Sequence, residues 1–213
     1  MTESGAATQD EGADRVAGGA LIAAAALSVL AMAHHPTGAH GDNGMAGFIH
    51  GVMIVLLTAT TYGFAHFALR RGPARPPILA GLVAYLVSLV AHLGAATING
   101  FVVPALAGRG VANHELFLFA WEANQALAGL GVFATGAAYV LWSVDFLRRP
   151  GLEPKAIGAL GLVAGIAPAA LLASGTIRMD VGGALIAYAA FAGWGVLVGL
   201  HLIRGRLRDA AGF

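Results

Sequence analysis

Residues Ala46–Leu69 read AGFIHGVMIVLLTATTYGFAHFAL, and Arg70–Pro77 follow as RRGPARPP. A helix needs about 20 mostly apolar residues to cross the roughly 30 Å hydrocarbon layer of a bilayer. This stretch exceeds that length, and His50 and His66 are its only residues that titrate near neutral pH. The arginine pair, glycine and prolines behind it are loop chemistry. Five further stretches read the same way: Val16–Ala33, Ile78–Ile98, Leu116–Leu141, Ile157–Ser174 and Val181–Ile203. The breaks between spans are HHPTGAHGDNG, RRGPARPP, PALAGRGVANHE, RRPGLEPK and TIRMD. The spacing therefore predicts an all-α bundle of six transmembrane helices. Residues 16–205 form it, with a disordered cytoplasmic tail at 1–15 and a short cytoplasmic tail at 206–213.

Composition agrees. Of 213 residues, 58% are hydrophobic and 11% charged, with a mean hydropathy of +0.76. Soluble domains carry about 25% charged residues. A soluble enzyme and a disordered chain are thereby excluded. Twelve basic against eleven acidic residues provide no polybasic field, so no nucleic-acid partner is expected. The partner is the lipid bilayer. Cysteine is absent, which removes disulfides, thiolate nucleophiles and thiolate-held metals.

Positive charge sets the orientation. With a cytoplasmic N-terminus, the inner segments hold Arg15, Arg70, Arg71, Arg75, Arg148, Arg149, Lys155, Arg204, Arg206 and Arg208. The outer segments hold only Arg109 and Arg178. Both termini are thus expected in the cytoplasm of a bacterium, with the chain in the inner membrane. Ala31-Met32-Ala33 looks like a signal-peptidase site, but the residues before it are acidic rather than basic, which argues against a signal peptide. Gly47/Gly51, Gly161/Gly165 and Gly195/Gly199 are small-xxx-small pairs. They allow close helix packing within one chain, and the same motif would serve a homo-oligomer.

Ionisable residues within spans are costly, so each is a functional candidate. His50, His92 and Glu122 lie on three spans, roughly 6–9 Å below the outer surface at about 1.5 Å rise per residue. Asn99 shares a helix face with Ser88 and His92, and Gln125 shares one with Glu115 and Glu122. His34, His35, His40, Asp42, His114, Arg178 and Asp180 lie near the same membrane face, as do Met32, Met45, Met53 and Met179. Arg178 is the expected cationic partner of Glu122. Imidazole with thioether and no thiolate is a ligand set for copper, while two histidines and a glutamate admit zinc or iron. The expected ligands are His50, His92 and Glu122, with His35, His40 and His114 at the entrance and copper preferred over haem. Two alternatives stand beside this one: a transporter or channel relaying protons through His92 and Glu122, and an enzyme acting on a lipid or quinone. A purely structural polar cluster is the plainest reading of the same residues. His66 and His201 read as interfacial histidines of the inner side, and Asp145 as the partner of Arg148 and Arg149.

The segment LAMAHHPTGAHG (Leu30–Gly41), with NGFVVPAL (Asn99–Leu106) and Asn124-Gln125-Ala126, resembles a group of small bacterial multi-pass membrane proteins. In that group an HPTG-type motif ends the first span and a histidine opens the second. The resemblance implies a six-helix membrane fold and no particular activity.

The charge asymmetry predicts that a fluorescent reporter fused after Phe213 is active, while an alkaline phosphatase fused there is inactive. High phosphatase activity would overturn the orientation.

Overall fold

A computed structural model describes residues 3–35 and 43–205. The described residues are helical, without strands: α1 Glu3–Ala33, α2 Asn43–Arg71, α3 Pro76–Thr97, α4 Val103–Gly108, α5 His114–Leu147, α6 Leu152–Ala173 and α7 Val181–Ile203. Six segments are long and apolar enough to cross a membrane: Glu11–Ala33, Met45–Arg71, Pro76–Gly108, His114–Leu147, Leu152–Ala173 and Val181–Ile203. The chain is a polytopic membrane protein.

Two expectations are corrected. The third span does not stop at Ile98. A π turn at Ile98–Val102 carries it into α4 and on to Gly108. Pro104 is the cause, because a helical proline donates no hydrogen bond and its ring clashes with the carbonyl four residues back. The wider turn absorbs this, and the Val103 amide bonds the Ile98 carbonyl, five residues back. The second correction concerns residues 1–15. They are not all tail: α1 already runs from Glu3, and Asp14 within it is only 1% exposed. The expected C-terminal tail, 206–213, lies outside the described residues.

The long helices form a ring in chain order. Each packs on its neighbours, α3 meets α5, and α7 closes the ring against α1. Glycine permits the closest approaches. A methyl on Gly18 of α1 would stand 2.5 Å from the Gly199 carbonyl of α7, and one on Gly199 would stand 2.8 Å from the Gly18 carbonyl. Gly136 and Gly165 meet in the same reciprocal way between α5 and α6. In lipid there is no hydrophobic drive to join two apolar helices, so such backbone contact supplies the packing attraction. Of the small-residue pairs read from the sequence, Gly47, Gly161, Gly165, Gly195 and Gly199 are used inside the chain, while Gly51 faces open space.

Aromatic rings fill the middle of the ring. Phe64 of α2 stacks on Trp142 of α5 and Trp194 of α7, with centroids 5.2 and 5.8 Å away. Tyr85, Tyr139 and Phe67 pack around these three. Each indole N–H donates to a carbonyl on the preceding long helix, Trp142 to Ile78 at 3.2 Å and Trp194 to Ile157 at 3.0 Å. Gly81 and Gly161 leave the room in which these indoles lie.

Charges gather at the end of the bundle where α2, α5 and α7 finish and α3 and α6 begin. Asp14 accepts from Arg70 Nε at 3.0 Å and lies 2.7 Å from His66 Nε2, tying α1 to α2. Asp145 of α5 pairs with the buried Arg71 of α2 and lies 3.4 Å from Arg75. Its expected partners are secondary: Arg149 is 4.0 Å away, and Arg148 is exposed. Glu153 lies 3.5 Å from both His201 and Arg204, tying α6 to α7. His66 and His201 are therefore tied to carboxylates of other helices rather than loose interfacial groups.

Removing one partner of a buried pair strands the other charge, at about 3–5 kcal/mol. Asp145→Ala should thus lower the thermal unfolding midpoint of the detergent-solubilised chain markedly. The double variant Arg71→Met/Asp145→Leu should recover most of the loss, and a double variant as unstable as the single would contradict this role.

Candidate functional site

The opposite end of the bundle is hollow. A cavity of about 850 Å³ lies among the ends of α1, α2, α3, α5 and α7, with residues of α4 at its edge. Most of its wall is apolar: alanines of α3 and α5, Met32, Met53, Met179, Leu57, Phe117 and Trp121. The polar groups that reach it are His35, His50, His92, Asn99, Asn124, Asp180 and Tyr188.

The histidines sit where glycine lets them. Gly100, in the π turn, lies against the His50 side chain, and any Cβ there would collide with it. Gly131 of α5 does the same beneath the His92 ring. Both imidazoles are buried, His50 at 6% and His92 at 5% exposure. His50 Nδ1 donates to the Ala46 carbonyl, one turn back, at 2.8 Å. That bond leaves Nε2 as the bare nitrogen of the neutral ring. His35, just beyond α1, brings its own Nε2 to 3.3 Å from it, with the two rings edge to face at 83°. Deeper in, His92 Nδ1 lies 3.2 Å from the Tyr188 hydroxyl.

His92, Tyr188 and Leu57 form a septum. Beyond them lies a second cavity of about 60 Å³, bounded by Ser88, Thr135, Tyr85, Tyr139 and Phe64. The Ser88 and Thr135 hydroxyls bond each other there. The aromatic plate then closes the way to the charged end.

Of the three residues expected to converge, the structure brings His50 and His92 to one cavity and leaves Glu122 out. Glu122 is exposed on α5 and lines neither cavity. Asn124 takes the inward place and donates to the Ala95 carbonyl at 2.9 Å. Two residues turn a helix by about 200°, so these two side chains point to opposite sides. His92 and Glu122 therefore do not meet in one cavity. Arg178 is exposed too, and no ion pair joins it to Glu122 among the described residues. Gln125 serves the framework instead. It exchanges two hydrogen bonds with the Met179 backbone, at 2.9 and 3.1 Å, and so pins the α6–α7 turn to α5.

The remaining candidates divide. Asn99 lines the cavity, and Asp180 does so while its side chain caps α7 through the Gly183 amide at 2.9 Å. His114 and Glu115 are exposed in the first turn of α5, and His34 is exposed with its Nδ1 on the Leu30 carbonyl. His40 and Asp42 lie outside the described residues. Among the described residues, no group of three or more His, Cys, Asp or Glu gathers closely enough to hold a metal ion. The expected triad of His50, His92 and Glu122 does not come together among the described residues, because Glu122 faces away from the cavity.

Sequence reading missed Asn124 and Tyr188 as groups of the cavity, while Met32, Met53 and Met179, placed near this face from the sequence, do line it. A signal for Asn124 was present. Ala120, Ala128, Val132, Thr135 and Tyr139 repeat at helical spacing with it, and this small-residue stripe marks the buried face of α5.

No family model matches the chain, and neither a curated protein nor a solved structure matches it.

The two α5 residues make opposite predictions. Glu122→Gln should leave stability within about 0.5 kcal/mol of wild type, as a surface change. Asn124→Ala removes a buried hydrogen bond to the Ala95 carbonyl and should cost about 0.5–1.5 kcal/mol, read from unfolding in detergent. Equal effects would overturn the assigned faces.

Proposed function

We propose that this is a ligand-binding protein of a bacterial inner membrane, with cytoplasmic termini and a cavity open towards the outer side. Its ligand is one neutral amphiphile with an apolar body and a hydrogen-bonding head, for which quinones are the fitting class. The cavity carries this reading. At about 850 Å³ it falls in the roughly 300–1,000 Å³ range of small-molecule sites, and it has their usual lining of apolar wall with a few converging polar groups. Elsewhere the helices approach to backbone contact, so space of this size is a specific feature of one end.

Charge narrows the ligand. Among the described residues neither lysine nor arginine lines the cavity, so an anionic ligand finds no countercharge there. The same lack speaks against haem, whose two carboxylates would have to be received there. His92, Tyr188, Asn124 and Asn99 supply neutral donors and acceptors for a head group, while Phe117, Trp121 and the alanines meet the apolar body. The aromatic plate favours binding from one side over passage through the bundle.

Ala128 is buried and faces the cavity. Titrating decyl-benzoquinone into the full chain in nanodiscs should quench Trp121 fluorescence saturably, because this tryptophan lines the cavity while Trp142 and Trp194 lie in the plate. Ala128→Leu should weaken binding at least tenfold, and Trp121→Phe should remove the signal. Unsaturable quenching, unchanged by Ala128→Leu, would sink the reading.

A further inference from the structure

We infer that His35 and His50, with the thioethers of Met32 and Met53, form a one-ion site for Cu(I) at the mouth of the cavity. This goes beyond the amphiphile reading and does not depend on it. The sequence places the four residues as two mirrored pairs, Met32-Ala-His-His35 at the end of α1 and His50-Gly-Val-Met53 near the start of α2. The His35 amide bonds the Met32 carbonyl at 3.1 Å, which holds the first pair in a helical turn. His50 and Met53 are three residues apart on α2 and share a face. Both methionines are buried, and all four side chains line the one cavity.

The nitrogen geometry is that of a ligand pair. Two imidazole nitrogens at about 2.0–2.1 Å from one ion, with a tetrahedral angle between them, stand roughly 3.3–3.4 Å apart. His35 Nε2 and His50 Nε2 are 3.3 Å apart. The backbone bond from His50 Nδ1 orients that ring and fixes its tautomer, as carbonyl partners do for metal-bound histidines. Without an ion, one Nε2 carries the hydrogen directed at the other. On binding, that hydrogen passes to the other nitrogen of its ring or to solvent, and the ion takes its place between two bare nitrogens.

Charge and softness select the ion. A buried divalent cation calls for a carboxylate beside it. Glu122 faces away, and Asp180 is engaged at the start of α7. A monovalent ion leaves the smaller charge to bury, and thioethers favour Cu(I) among common metals. The absence of a three-residue His/Asp/Glu group excludes a zinc-type centre among the described residues, while two imidazoles and two thioethers suffice for Cu(I).

The test titrates Cu(I) alone into the full purified chain, under reducing conditions, against a chromophoric Cu(I) chelator. Wild type should hold one Cu(I) per chain and bind it more tightly than Zn(II). His35→Ala and His50→Ala should each lose at least tenfold in affinity, and Glu122→Gln should lose none. X-ray absorption should show sulfur beside nitrogen in the copper shell, and Met32→Leu/Met53→Leu should remove the sulfur contribution. If His50→Ala does not fold, His35→Ala and the methionine pair decide the matter. Wild type retaining no more Cu(I) than His35→Ala, or a copper shell without sulfur, overturns the site. Ala128→Leu lies deeper and should bind copper normally, so failure of the amphiphile reading leaves this result distinct.

Discussion

The bundle depends on a plate of aromatic rings, about two helical turns in from the charged end, where Phe64 lies across Trp142 and Trp194. Large rings bury much apolar surface and attract each other in stacked and edge-on arrangements. An indole in lipid must also place its N–H. Both tryptophans solve this by donating to a helix carbonyl, and both need a glycine on that helix to come near enough. The positions of α3 against α5 and of α6 against α7 follow from these two bonds. So does the division of the molecule, with charge on one side of the plate and space on the other.

The two sides solve the cost of burying polarity differently. Towards the charged end, Asp14, Asp145 and Glu153 each face cations from another helix, so charge is neutralised where helices meet. Towards the hollow end, the buried groups are neutral: imidazoles, amides and hydroxyls, held by backbone carbonyls or by one another. A neutral polar group with one bond made and one open is suited to receiving a ligand. A neutralised ion pair is not.

Hydropathy made the six spans legible, because length and apolar content alone decide whether a helix can cross a bilayer. Depth along each span was legible for the same reason, at a fixed rise per residue. Rotation about each helix was harder. Glu122 stood out because it is acidic, while Asn124, two positions on, faces the cavity and is less conspicuous. Only the repeat of small residues along α5 distinguishes their faces. Pro104 read as a break because proline usually ends a helix; here a π turn absorbs it and the span continues, with Gly100 of that turn packed against His50. Asp14 read as part of a solvated tail because its partners, His66 and Arg70, lie over fifty residues away in the chain. The approach of His35 to His50 likewise depends on a long-range meeting that no local pattern encodes.

The ring is closed by the first and last long helices, through Gly18 and Gly199. Biogenesis therefore has a built-in order. As the chain emerges, α1 can settle its aspartate against α2 early, yet its glycine face stays bare until α7 has been made. Every intermediate before that point is an open arc, with the aromatic plate lacking Trp194 and the cavity lacking Tyr188. Assembly of the hollow end thus waits for α7.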